Sequence, residues 1–324
     1  MDLRDSPDET AFREQVRGWL AENLPAETGR EWSRKMFDAG YAGLTWPEEY
    51  GGSGAPYSHQ AIALEEFARA EAPNHMNVIA LGMAGPTIMA HGTEEHKQRY
   101  LSKMLSAEEI WCQGFSEPGA GSDLAAVRTR IEPADRHFLV NGQKVWSSLA
   151  HEADFCILVG RGDPESHGHA GLTYVIVDMH APGVEVRPLR QITGEAEFNE
   201  IFIEGAEVPD ENLIGGEGNG WNVAITTLMH ERAGLGAASA ISLRRDLDEL
   251  IELLNQRGLG DDPVVRERIA ELKIGVEALR LGALRALTQQ MKVGIPGPEG
   301  SLAKWEWASL NQRLTELAAD VLGP

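Results

Sequence analysis

Cysteine is nearly absent. The 324 residues contain two, Cys112 and Cys156, far apart in the sequence and without metal-ligand spacing. They offer no disulfide framework and no metal site, and they suit a reducing, cytoplasmic setting. Long apolar runs are missing too. None reaches about 18 residues, so no membrane span is expected. The N-terminus, MDLRDSPDETAFREQ, lacks the basic and apolar regions of a secretory signal. No GxGxxG follows a strand and no GxxxxGK[ST] occurs, which removes the strong phosphate-cradling loops. Positive charge is scarce. Lys and Arg number 29 against 50 Asp and Glu, a net charge of −21. Nucleic acid and anionic membranes, which need a basic face, are excluded as expected partners. A phosphate-bearing ligand would have to rest on local Arg and Lys residues and on helix N-termini.

Apolar and charged residues make up 42% and 24% of the chain, ordinary for a globular protein with a large core. Three blocks follow one another. Residues 1–112 read as helical. Phe12, Val16, Trp19 and Leu20 share one helical face, with Asp8 or Thr10 as N-cap, and Gly51-Gly52-Ser53-Gly54 marks a loop. Residues 113–215 carry short β-branched runs separated by turn signals, which predicts a compact β-domain. Within it, His137–Val140 and Lys144–Trp146 flank Asn141-Gly142, a strong hairpin signal. Strands are also expected at 155–159, 173–178, 184–187 and 200–203. Residues 216–324 return to helix. One long pattern runs from Trp221 to about Gln256, a second through Val265–Leu287, and a third from Leu302 to Val321.

Two stretches carry the chemistry. Gly114-Phe115-Ser116-Glu117-Pro118-Gly119-Ala120-Gly121-Ser122-Asp123 joins the first block to the second. Its glycines let backbone N–H groups approach a ligand, and its serines add hydroxyls. The plainer reading is a tight turn in which Ser122 or Asp123 caps a short helix. Trp146-Ser147-Ser148 sets a flat aromatic beside two hydroxyls, suited to stacking on a ring and bonding its edge. Its plainer reading is a core Trp at a strand end.

Together these stretches resemble the acyl-CoA dehydrogenases. The likeness extends through Asn141-Gly142-Gln143-Lys144-Val145-Trp146, Asn212-Leu213-Ile214-Gly215, Gly220-Trp221 and Glu231-Arg232, in order over nearly the whole chain. The resemblance implies an α+β multidomain fold: an N-terminal helical domain, a central β-barrel-like domain and a C-terminal helical bundle, here incomplete. It implies FAD between the β-domain and the bundle. Phe115, Ser116, Gly121 and Ser122 would line the flavin, Trp146 would flank its ring and Ser148 would bond near its reactive nitrogen. Ser122 and Arg232 would meet the acyl-CoA substrate. The implied reaction is α,β-dehydrogenation in fatty acid or lipid catabolism, with an electron-transfer flavoprotein as acceptor and a homo- or hetero-oligomer as the assembly.

The sequence departs from the family in two places. An Arg followed by Phe-Gly, which meets a neighbouring subunit's FAD, is replaced by Arg257-Gly258-Leu259-Gly260. The family also continues beyond position 324, with a Thr- and Glu-containing turn that holds the base in some members. Without it the chain alone is expected to be aggregation-prone unless a partner covers the Val265–Leu287 helix. The resemblance assigns the base to Glu231, because members whose C-terminal turn lacks a Glu carry one at this position, immediately before the Arg. At about 100° per residue its face carries Ala224, Thr227, Leu228, Leu235 and Ala238. A carboxylate in that stripe would be desolvated and its pKa raised, as a base for a weak carbon acid requires. The plainer reading pairs Glu231 with an Arg of another helix. Gly82, Gly85, Gly234 and Gly236 either widen a pocket for a branched or ring-bearing acyl group or permit close helix packing. An acyl-CoA oxidase and a non-catalytic flavin- or acyl-CoA-binding subunit are the competing functions.

Overall fold

The structure is a computed structural model. It describes residues 4–233, 235–295 and 297–323, without the side chains of residues 233, 235, 237 and 322. In chain order its elements are α1 (Pro7–Asn23), α2 (Arg30–Asp38), α3 (Tyr57–Arg69), a π-helical turn (Ala80–Ala84), α4 (Gly85–His91) and α5 (Glu94–Leu105). Strands β1 (Trp111–Gly114), β2 (Arg130–Pro133), β3 (His137–Ser148), β4 (Phe155–Arg161), β5 (Leu172–Asp178), β6 (Val184–Leu189) and β7 (Phe198–Pro209) follow. The chain then forms α6 (Gly220–Ala233), α7 (Leu235–Gln256), α8 (Pro263–Val293) and α9 (Glu299–Leu322). This is the α+β fold expected, with helical N- and C-terminal regions and a central curled sheet. No described helix is long and apolar enough to cross a membrane.

The chain divides into two compact units. One comprises residues 28–53 and 74–228. Its sheet runs β1-β4-β2-β3-β7-β6, with β5 added to β4. β4 and β5 are buried along nearly their whole length. Their apolar side chains carry much of the driving force, each fully buried one contributing about 1.5–3 kcal/mol. The Asn141-Gly142 hairpin does not form. β3 passes straight through it, with a register shift at Val140/Asn141. The Asn141 side chain accepts the Gly205 N–H at 2.8 Å, and a Cβ on Gly142 would collide with Thr129. The glycine serves a close approach at a β-bulge rather than a turn. Cys112 and Cys156, remote in sequence, are register partners across β1 and β4, and both are buried free thiols.

His75 and Asn77 tie the end of α5 to β1. Asn77 Nδ2 donates to the Met104 and Glu109 carbonyls, and its Oδ1 accepts the Trp111 N–H. His75 accepts the Asn77 N–H and donates to the Leu105 carbonyl. Burial pushes the His75 pKa down to about 4, with the bond to Leu105 opposing. A folded-state pKa below the free value of 6.5 means that the unfolded chain takes the proton first. Stability therefore falls as the pH drops from 6.5 to about 4, by on the order of 3 kcal/mol from this group. Urea denaturation of His75→Gln should show a shallower loss over that window. A slope equal to that of the unmodified protein would remove His75 as its source.

The other unit comprises residues 1–27, 54–73 and 229–324. Here α7, α8 and α9 pack around Leu243, Leu247, Leu254, Leu272, Leu279, Leu314 and Leu317, and α1 lies on α3. The cap of α1 is Ser6, not Asp8 or Thr10. Ser6, just before Pro7, forms a capping box with Glu9, which the apolar pattern alone does not locate. The pattern expected from Trp221 to Gln256 is helical on both sides of residue 234, which lies outside the described residues. On α8 and α9, Ile274, Leu281, Leu302 and Trp305 are exposed.

Candidate active site

The loop from Gly114 to Asp123 is held from below by a charge pair. Lys144 on β3 is completely buried. Its ammonium donates to the Phe115 carbonyl at 3.1 Å, the Val159 carbonyl at 2.7 Å and Glu117 Oε1 at 2.8 Å. Glu117 also accepts the backbone N–H groups of Arg128 and Thr129. Burial lowers the Lys144 pKa against the pull of Glu117. Burial alone would raise Glu117, but the Lys144 charge and the N–H donors outweigh it and hold the carboxyl below its usual range. Glu117 and Ala120 exchange backbone hydrogen bonds, closing a tight turn over Pro118-Gly119. The Val145 N–H donates to the Ser116 carbonyl at 2.9 Å, so the loop is bonded to β3 beside Trp146.

Phe115, Ser116, Gly121, Ser122, Trp146 and Ser148 therefore lie in one unit, on a loop and a strand bonded to each other. Phe115 is buried with its ring edge-on to Tyr174. Ser116 and Ser148 are half-buried, and Gly121 and Ser122 are exposed. A Cβ on Gly119 or Gly121 would meet nothing within 4 Å, which leaves their backbone approachable. Trp146 is not a core residue. It is 60% exposed, at a φ of 61°, where the β3–β7 register shifts. A left-handed conformation strains a bulky side chain and persists only where its surroundings enforce it. Its ring meets that of Phe198 at nearly a right angle, 5.9 Å between centroids. A flat aromatic so presented beside Ser148 and an open glycine loop fits a planar ring system such as a flavin.

Glu231 and Arg232 occupy the last turn of α6, in residues that cluster with the other unit. Glu231 is exposed rather than desolvated. Leu235 and Ala238 of the stripe drawn through it fall in α7, on the far side of residue 234, which lies outside the described residues. Ala224 and Thr227, earlier on α6, are fully buried. Arg232 is half-buried, and Gly300 lets the start of α9 approach its backbone. The four glycines separate by role. A Cβ on Gly85 would strike the Trp46 ring, and one on Gly236 would press on Ala283, so both serve packing. Gly82 faces open space, and Gly234 lies outside the described residues. Two site-building residues, Lys144 and Glu117, carried no role in the sequence reading. The signal for them was a Lys at a β position that the strand pattern buries.

Models of the acyl-CoA dehydrogenase N-terminal, middle and C-terminal domains match residues 6–108, 112–205 and 218–324. The chain belongs to the acyl-CoA dehydrogenase family, whose members are FAD-dependent oxidoreductases. Among particular proteins, it is 42% identical over 330 residues to acyl-CoA dehydrogenase IpdE1 of Mycobacterium tuberculosis, covering 96% of this chain and 85% of the relative. The solved Tcur3481-Tcur3483 steroid ACAD superimposes with a TM-score of 0.86 at 29% identity, covering 98% of this chain and 86% of that one. The ChsE4-ChsE5 complex from Mycobacterium tuberculosis does so with a TM-score of 0.84 at 29% identity, covering 100% and 86%.

Proposed function

We propose that the chain performs flavin-dependent α,β-dehydrogenation of an acyl-CoA thioester, with Glu231 as the base. The observation that carries this reading is Trp146, held exposed and left-handed beside Ser148 and the Glu117-anchored glycine loop. When bound, FAD supplies the hydride-accepting ring. Trp146 offers that ring a face, Phe115 and Ser116 back the loop that lines it, and Gly121 and Ser122 present backbone N–H groups and a hydroxyl. Ser148 offers a hydroxyl to the ring edge. Ser122 and Arg232 contact the CoA thioester, and the Glu231 carboxylate takes the proton from the carbon beside the thioester carbonyl. A ring-bearing acyl group is proposed as the substrate class, supported by the steroid ACAD among the structural relatives and by the open space at Gly82. An electron-transfer flavoprotein is the proposed acceptor, and the enzyme acts in lipid breakdown.

Structural relatives that are complexes of two named chains favour one elaboration, a hetero-oligomer with a second acyl-CoA dehydrogenase-like chain. An oxidase instead of a dehydrogenase would make hydrogen peroxide with acyl-CoA in air. The cofactor placement has a direct test. Ser122→Ala should lower the flavin retained through purification, and Trp146→Ala should lower it further. Stacking contributes about 0.5–1.5 kcal/mol beyond buried area, so up to roughly tenfold weaker flavin binding is expected for Trp146→Ala. Full FAD occupancy in both variants would overturn the assignment.

A further inference from the structure

Three hydroxyls are completely buried where α4, α6 and β5 meet. Tyr174 Oη lies 3.0 Å from Thr227 Oγ1, and Thr227 Oγ1 lies 2.8 Å from Thr87 Oγ1. The Thr87 hydroxyl also bonds the Met83 carbonyl at 2.8 Å. Each hydroxyl has one hydrogen. With the Thr87 hydrogen on Met83, the 2.8 Å contact between the threonines draws on the Thr227 hydrogen, which also has the Val223 carbonyl within 3.2 Å. The Tyr174 hydrogen then serves Thr227. The bonds link Tyr174, Thr227 and Thr87 to the Met83 carbonyl, with the Val223 carbonyl as a second acceptor beside Thr227.

That carbonyl belongs to the π-helical turn Ala80–Ala84. The turn has a cause in the sequence. Pro86 has no N–H for the Gly82 carbonyl, so the helix cannot continue in α register, and the Gly85 N–H bonds Ala80 instead. Such turns recur at functional sites. A second bond runs parallel to the first. His91 Nε2 lies 2.7 Å from Thr226 Oγ1. Residues 87 and 91 are one turn apart on α4, and residues 226 and 227 are about 100° apart on α6. Two bonds so placed fix both the rotation of α6 and its height along α4. The core needs no hydroxyls there, since Val and Phe fill the same space without buried polar groups to satisfy.

We propose that the Tyr174–Thr227–Thr87 chain is a positioning device that sets the rotation of α6, and with it Glu231 one turn further along the helix. The inference rests on the reading of Glu231 as the base. Thr227 is then a positioning residue, and its hydroxyl does not touch substrate.

The test uses the flavin-loaded enzyme and Thr227→Val, Thr227→Ser and Glu231→Gln. Thr227→Val should lower kcat by roughly ten- to a hundredfold, the scale of a misplaced reacting group. KM and flavin content should stay unchanged, and Thr227→Ser should restore the rate. Exchange of the acyl α-hydrogen into deuterated water, followed by NMR, should fall in parallel. The double variant Tyr174→Phe/Thr227→Val leaves no unpaired Tyr hydroxyl and should show the same loss if the single variant folds poorly. Wild-type kcat and exchange in Thr227→Val, with Glu231→Gln inactive, would overturn the positioning role alone. A loss confined to KM or to flavin content would also overturn it. An active Glu231→Gln would overturn the base assignment and the device with it.

Discussion

Glu231→Gln should retain FAD and acyl-CoA but reduce its flavin with substrate about 10²–10⁴-fold more slowly, the usual contribution of a general base. The carbon beside a thioester is a weak acid, and its proton leaves only when the carbonyl is polarised and a base is in place. Gln keeps the shape and a carbonyl oxygen of Glu but cannot take the proton. In the described chain Glu231 is solvated. Exclusion of water from the carboxylate must then come with the bound acyl group. Binding should therefore be nearly unchanged in the variant while the chemical step collapses. Anaerobic stopped-flow mixing with acyl-CoA separates the two. Reduction at the unmodified rate would move the base to another residue.

Glu117→Ala should destabilise the protein by about 3–5 kcal/mol, because it strands the Lys144 ammonium without a counter-charge in a site closed to water. The Arg128 and Thr129 N–H groups lose their acceptor in the same step. Lys144→Met in the same chain should recover part of the loss, since an apolar side chain needs no partner. Acid should act like the substitution. The Glu117 carboxyl titrates below its free value of 4.5 in the folded chain, so its contribution is full above that pH and is lost as the pH falls through the folded value. Urea denaturation of the single and double variants measures both effects. Equal stability of Glu117→Ala and the unmodified protein would mean that the pair does not hold the loop.

Element types were legible from periodicity and turn signals, and so was the order of helical, β and helical blocks. What failed were inferences that needed the third dimension. Asn141-Gly142 has the composition of a tight turn, but its glycine answers the approach of Thr129 from β2's side of the sheet. The Glu231 stripe implied a desolvated carboxylate, but a helical wheel contains no information about what covers a face, and Glu231 is exposed. Cys112 and Cys156 meet only because β1 and β4 pair in parallel. Among the candidate site residues, Trp146 was legible as an aromatic beside serines. Its exposure and left-handed backbone were not, because they arise from a bulge between β3 and β7. Lys144 was quoted only as part of a motif, since a sequence does not reveal that an ammonium has three acceptors waiting in the core.

The most direct test of the central claim is the visible spectrum of the purified protein before and after anaerobic addition of acyl-CoA thioesters, ring-bearing ones included. The account predicts a bound flavin whose absorbance bleaches with at least one of them, with an α,β-unsaturated acyl-CoA as product. A protein that binds flavin and acyl-CoA yet never bleaches would contradict it and mark the chain as a binding subunit.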